Sequence, residues 1–179
     1  MKNNKKLSWW QLALASVAVS AIGGLSSRKP NSQERKLYEK ELEQAPWAPP
    51  GWVFAPAWTI NNFFLIKALQ QLLLRKDLDE KKSLLILQTI IWIIFFSYGY
   101  IYFNKKSTVL AALWTIGDAA LAAGSFAVSR KEDKDLSLLY LPLLGWTSFA
   151  STIAVYQALR NDDPLLHFDP KETWRKVKG

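Results

Sequence analysis

Few residues in this chain are equipped for bond-making chemistry. Cysteine is absent and His167 is the one histidine. That excludes disulfides, thiolate ligands, cysteine nucleophiles and a multi-histidine metal site within one chain. The sequence holds no nucleophile–base constellation and no phosphate-binding loop. What remains is aromatic: nine tryptophans in 179 residues. Trp52 and Trp58 flank Phe54 and Ala55. At roughly 100° per residue, Ala55 and Trp58 are expected on related faces of a helix, with Trp52 at its mouth. Trp146, Phe149 and Ala150 follow i, i+3, i+4 spacing and form a second stripe of aromatic and small residues. Two such stripes facing each other enclose a flat molecule by stacking and apolar burial. Taken alone, the spacing serves helix packing more often than ligand binding, and terminal tryptophans serve as interface anchors.

Two charges interrupt otherwise apolar stretches, Lys67 and Asp118. An ionisable group inside a membrane is costly and usually faces protein or water, so each is a functional candidate. Spans two and four should run parallel, which predicts an intramembrane Lys67–Asp118 pair. The alternative for Lys67 is snorkelling to the nearby interface. Asn61, Asn62, Gln70, Gln71 and Gln88 are expected chiefly as interhelical hydrogen-bonding groups.

The elements that must position these residues are legible from the segregation of charge. The chain carries a net charge of +8 and is 50% hydrophobic. Its mean hydropathy of −0.02 resembles that of a soluble protein, but the charges cluster between long apolar stretches. Lys and Arg flank those stretches rather than forming one basic face, which fits a bilayer and not nucleic acid. A helical span needs about 20 apolar residues. Five candidates result, at about 8–27, 50–74, 84–103, 108–128 and 136–159, within a single domain covering 1–179. The first has a basic start like a secretory signal, but no clean A-x-A site follows and Gly23-Gly24 suits close helix packing, so a retained anchor is favoured. A polar loop, 28–46, follows, with a short amphipathic helix expected near 33–42. Pro49-Pro50 suits a helix start, Pro56 is expected to bend the second span, and Pro142 to begin or kink the fifth. Ala-rich span four, with Gly117 and Gly124, reads as a packing surface. The tail, 160–179, is polar. A slight excess of Lys and Arg on its side of the membrane predicts a cytoplasmic C-terminus.

The stretch Trp47-Ala48-Pro49-Pro50-Gly51-Trp52-Val53-Phe54-Ala55-Pro56-Ala57-Trp58-Thr59 resembles the TspO/MBR signature W-x-P-P-x-W-V-F-G-P-V-W-T. Pro142 to Thr152 is similar to P-Y-L-x-W-x-x-F-A-T-x, and Arg160-Asn161-Asp162 also fits. The resemblance covers essentially the whole chain. It implies an all-α membrane protein, a bundle of five transmembrane helices, with the loop 28–46 as a lid. It further implies a homodimer in membrane lipid that binds a hydrophobic planar molecule, a tetrapyrrole such as porphyrin or haem or a sterol, for sensing, transport or sequestration. No metal and no obligatory cofactor are expected. The implied ligand-lining residues are Trp47, Trp52, Phe54, Ala55, Trp58, Asn62, Tyr98, Trp114, Trp146, Phe149 and Ala150.

The family pattern is not kept throughout. Ile91 and Phe95 stand where Gln and Asn are common, Tyr98 where a Trp is, Trp114 where an Asp is, and Asn62 where a Tyr is. Leu143 and Ala154 likewise replace a Tyr and an Asn, and the strict cholesterol motif fails because Val155 abuts Tyr156. The tryptophan-and-proline frame is therefore kept while several polar positions are not. This supports a second reading, a scaffold or assembly partner that kept the fold and lost the site. An enzyme is the minor reading: the resemblance implies light-dependent porphyrin breakdown, and Trp58 and Trp146 match the motif positions for it.

Overall fold

A computed structural model describes residues 6–27 and 31–170. The flanking charges Lys2, Lys5, Arg28, Lys29, Lys171, Arg175, Lys176 and Lys178, and the tail beyond 170, lie outside the described residues. Among the described residues the regular structure is helical, apart from one isolated bridge between Asp163 and Phe168. Helix α1 spans Trp9–Gly24 and ends in a 3-10 turn, Leu25–Ser27. Short α2, Asn31–Lys36, runs into a wider π turn, Leu37–Glu41, where the amphipathic helix was expected. After a 3-10 turn at Gly51–Val53, α3 covers Phe54–Leu74. Helix α4, Lys81–Gly99, closes in a π turn, Tyr100–Asn104. Helices α5, Thr108–Glu132, and α7, Leu141–Arg160, are separated by the short α6, Lys134–Leu138.

Four of these segments, Trp9–Ser27, Lys81–Asn104, Thr108–Glu132 and Lys134–Arg160, are long and apolar enough to cross a membrane. Helix α3 is not among them, although five spans are expected from the sequence. Asn61, Asn62, Lys67, Gln70 and Gln71 lower its hydropathy, and most of these polar groups turn inward. Asn61, Asn62 and Gln70 are buried along with Leu65, Ala68 and Leu72. A helix surrounded by protein does not need the apolar surface that lipid demands of its neighbours.

The prolines act at helix starts. Pro56 is the third residue of α3, where its missing N–H has no intrahelical partner to lose, so the expected bend is not required. Pro142 stands in the first turn of α7, behind the break at Leu139–Tyr140 that divides the fifth expected span into α6 and α7. Ser107 caps α5 by accepting from Leu110 N at 3.2 Å. Asp133 caps α6 in the same way, accepting from Leu136 N at 2.8 Å.

Helix α5 packs chiefly on α7 and α4, and α3 chiefly on α1. One apolar core joins Leu65 and Leu72 of α3, Leu84 and Ile91 of α4, Ala122 of α5 and Tyr140 and Leu143 of the α6–α7 corner. A polar thread crosses it: Tyr140 donates to Gln88 Oε1 at 3.3 Å, and Gln88 Nε2 donates to the Leu65 carbonyl at 2.6 Å. Ile91, on the same face as Gln88, is fully buried in that core. Helices α1 and α4 approach closely at two glycines. A Cβ at Gly23 would lie 2.5 Å from the Phe95 ring, and one at Gly99 would lie 2.4 Å from Ser26 Oγ and 3.1 Å from Ser27 N. Gly24 and Gly124 face open space instead, so in α5 the tight surface is made by Ala111, Ala112 and Ala122.

Candidate functional site

The bundle contains a cavity where α3, α4, α5 and α7 meet. Phe54 and Trp58 reach it from α3, Phe95 and Tyr98 from α4, Thr115 and Asp118 from α5, and Trp146 and Ala150 from α7. Six of the residues singled out in the sequence thus converge: Phe54, Trp58, Tyr98, Asp118, Trp146 and Ala150. The rings make a nearly continuous wall. Phe54 meets Trp146 edge to face with centroids 5.5 Å apart, and Trp58 meets Phe95 at 5.1 Å. The void they leave is about 30 Å³, room for about one water molecule.

Two polar groups in that wall have no partner. Asp118 is 1% exposed, and its Oδ1 has no hydrogen bond. Trp146 Nε1 is likewise buried without an acceptor. The expected Lys67–Asp118 ion pair is not formed; no ion pair among the described residues includes either group. The reason is one of level. Asp118 shares the cavity with Trp58, and Lys67 is nine residues further along α3, about 14 Å at 1.5 Å per residue. Helix α5 also packs on α4 and α7 rather than presenting a face to α3.

The other expected lining residues lie elsewhere. Ala55 is exposed and Trp52 is 70% exposed, so the face of α3 that meets the cavity is that of Phe54 and Trp58. Asn62 is fully buried but turns toward α1, donating to Ser20 Oγ at 2.9 Å. Trp114 lies one turn before Asp118 and donates to Ser97 Oγ of α4 at 2.9 Å. Phe149 is 40% exposed and borders a second, outer hollow between α3 and α7. This groove, of about 390 Å³, is lined by Ile60 and Asn61 on one side and Pro142, Gly145, Trp146 and Phe149 on the other. Trp146 therefore forms a wall of both spaces. Asn61 is buried, and its Nδ2 has no acceptor.

The loop ahead of α3 is stitched to the same end of the bundle. Trp47 Nε1 donates to Thr152 Oγ1 at 3.0 Å, and its ring meets Tyr156 edge to face at 5.6 Å. Tyr38 donates to the Pro49 carbonyl at 2.9 Å and packs edge to face on Phe54 at 5.3 Å. Burial, helped by the charge of Glu39, pushes the Tyr38 phenol up to about 12. Gln157 of α7 donates to Gln44 Oε1 at 2.7 Å and accepts from Tyr102 OH at 3.0 Å. Trp47 thus fastens the loop and does not line the cavity.

Sequence reasoning missed Thr115, which lines the cavity, and gave Phe95 only as a family departure. Spacing carries a signal for both: 95 and 98, and 115 and 118, are i, i+3 neighbours on their helices. The network of Gln44, Gln157 and Tyr102 had no such signal, because its members are far apart in the chain.

The model of the TspO/MBR family matches residues 12–159 of this chain. The chain belongs to the TspO/MBR family. A tryptophan-rich protein TspO from Chlorobaculum tepidum is 29% identical over 141 residues, covering 75% of this chain and 84% of that protein. The family assignment and four long apolar helices make this a membrane protein. In this TspO/MBR member the signature Trp47–Thr59 has two duties. Its first half anchors the loop, and its second half, Phe54 and Trp58, builds the cavity wall.

Proposed function

We propose that this TspO/MBR protein crosses the membrane five times and binds a hydrophobic planar ligand, of the tetrapyrrole or sterol class, for sensing, transport or sequestration. The observation that carries the reading is the aromatic wall of Phe54, Trp58 and Trp146 around the inner cavity, with Trp146 also bordering the outer groove of about 390 Å³. That groove is open and largely apolar, with Ile60 and Phe149 exposed along it. The fifth crossing is α3: its 21 residues extend about 31 Å, enough for a hydrocarbon core of about 30 Å. The segment 28–46 acts as the lid, since Tyr38 packs on Phe54 at the cavity wall. Exposed Trp9, Trp10, Leu14 and Val17 give α1 an apolar face for lipid or for a second copy in a homodimer. The C-terminus is assigned to the cytoplasm from the Lys and Arg balance.

Titration of the bilayer-embedded protein with protoporphyrin and haem tests the binding reading. Saturable quenching of intrinsic tryptophan fluorescence is expected, weakened in Trp58→Leu and Trp146→Leu. A flat titration across the panel counts against it.

The second reading is a scaffold that kept the fold and lost the site. One observation favours it: the inner cavity, about 30 Å³, is far smaller than any planar macrocycle. Co-purification of a stable partner without bound pigment supports that reading.

A further inference from the structure

Trp146 Nε1 and Asp118 Oδ1 are partnerless polar atoms of opposite hydrogen-bonding character, and their side chains line one cavity. An indole N–H only donates, and the carbonyl oxygen of a carboxyl group accepts. A buried polar group without a partner is unfavourable, and a pair of them lining one small cavity points to a group that joins both.

We propose that the inner cavity is a hydroxyl site, in which an otherwise apolar ligand places one O–H group between Asp118 and Trp146. The proposal rests on the ligand-binding reading above and narrows it to a ligand that carries a hydroxyl, as a sterol does and protoporphyrin or haem does not. A hydroxyl donates to the carboxylate and accepts from the indole N–H at once. An ammonium group satisfies Asp118 but offers no acceptor to Trp146. A carbonyl accepts from Trp146 but has no proton to give Asp118. The space, about 30 Å³, fits one water-sized group. The rest of the ligand has its own room, because Trp146 also walls the groove of about 390 Å³ between α3 and α7. The body of the ligand lies there against Ile60 and Phe149, with its hydroxyl passing the edge of the Trp146 ring.

The test uses the full chain in phospholipid nanodiscs and four naphthalene probes: 2-naphthylmethanol, 2-methylnaphthalene, 2-naphthaldehyde and 2-naphthylmethylamine. Affinities are taken by calorimetry, with empty nanodiscs as the partitioning blank. The alcohol is expected to bind about tenfold more tightly than the methyl compound, and more tightly than the aldehyde or the amine. Asp118→Leu and Trp146→Phe should each bring the alcohol-to-methyl ratio toward one, while Lys67→Met, which lines neither space, should leave it. Equal affinities, or preference for the aldehyde or amine, overturn the hydroxyl site and leave the ligand-binding reading standing. A ratio lost in Lys67→Met but kept in Asp118→Leu overturns the assignment to the inner cavity. Failure of all four probes to bind overturns the hydroxyl site, and the porphyrin titration above decides separately whether the ligand-binding reading stands. The wild-type panel decides the outcome even if a variant does not fold.

Discussion

Asn161 holds Glu43 by both sides of its backbone. Its Oδ1 accepts from Glu43 N at 2.7 Å, and its Nδ2 donates to the Glu43 carbonyl at 3.1 Å. The same Nδ2 also reaches the Gln157 carbonyl at 2.9 Å, so one side chain ends α7 and fixes the loop ahead of α3. Asn161→Ala removes the clamp and leaves part-buried backbone groups unpaired, at about 1–3 kcal/mol. The expected result is faster protease cleavage and hydrogen exchange within 37–46, with α5 protection little changed. Unaltered exchange in that loop would show that the clamp is not what holds it.

Asp163 does comparable work at the start of α5. Its carboxylate accepts from Ser107 Oγ at 2.7 Å and Val109 N at 2.9 Å, and from Leu165 N and Leu166 N at 3.0 Å each. Asp163→Ala strands buried donors on two segments and should cost about 2 kcal/mol or more. Asp163→Asn keeps the shape and one acceptor oxygen, so its loss should be smaller. Thermal unfolding in one detergent, read for both variants, checks the order.

The corner joining α3 to α5 and α6 should give the protein an acid-sensitive edge. Asp133 is held below the usual 3.8, first by the Leu136 N–H and then by the Arg75 guanidinium, with which it forms an ion pair. Arg75 also pairs with Asp77 at 2.8 Å, which lowers that carboxyl as well. A carboxyl lowered by folding stabilises the native state above its ordinary value and loses that contribution as pH falls through the folded value. Stability should therefore decline below about pH 4, and Asp133→Asn should flatten that decline. Melting temperature measured against pH for both proteins is the check; parallel curves would remove Asp133 from the account.

Lys67 and Asp118 should behave independently. With about 14 Å of α3 between the level of Asp118 and Lys67, the losses in Lys67→Met and Asp118→Leu should add in the double variant to within about 0.5 kcal/mol. A double variant milder than the harsher single one would mean that the two charges do pair in the bilayer.

Several features were open to inspection in the sequence because they depend on local quantities. Segment lengths set by the bilayer located α1, α4 and α5 to within a few residues. The fixed geometry of proline placed helix starts before α3 and within α7. Helical spacing named Trp58 and Trp146, the signature run brought in Phe54, and the cavity collects all three. The motif that carries the family resemblance was readable for the same reason, since it is a contiguous run.

Tertiary structure alone decided which face of each helix met which neighbour. Periodicity fixes angles along one helix but not the rotation of one helix against another. Asn62 could therefore be named without its partner Ser20, and Ala55 could share a motif with Trp58 yet face outward. Axial level escaped the sequence in the same way: Asp118 shares the cavity with Trp58, and Lys67 stands nine residues further along α3. The volume left between the rings depends on how Phe95 and Trp58 seat against each other, a packing outcome that no run of residues encodes by itself. The sequence thus determined the long apolar segments of α1, α4 and α5 and the aromatic run, whereas packing made the aromatic wall nearly closed, with Asp118 and Trp146 lining a space of about 30 Å³.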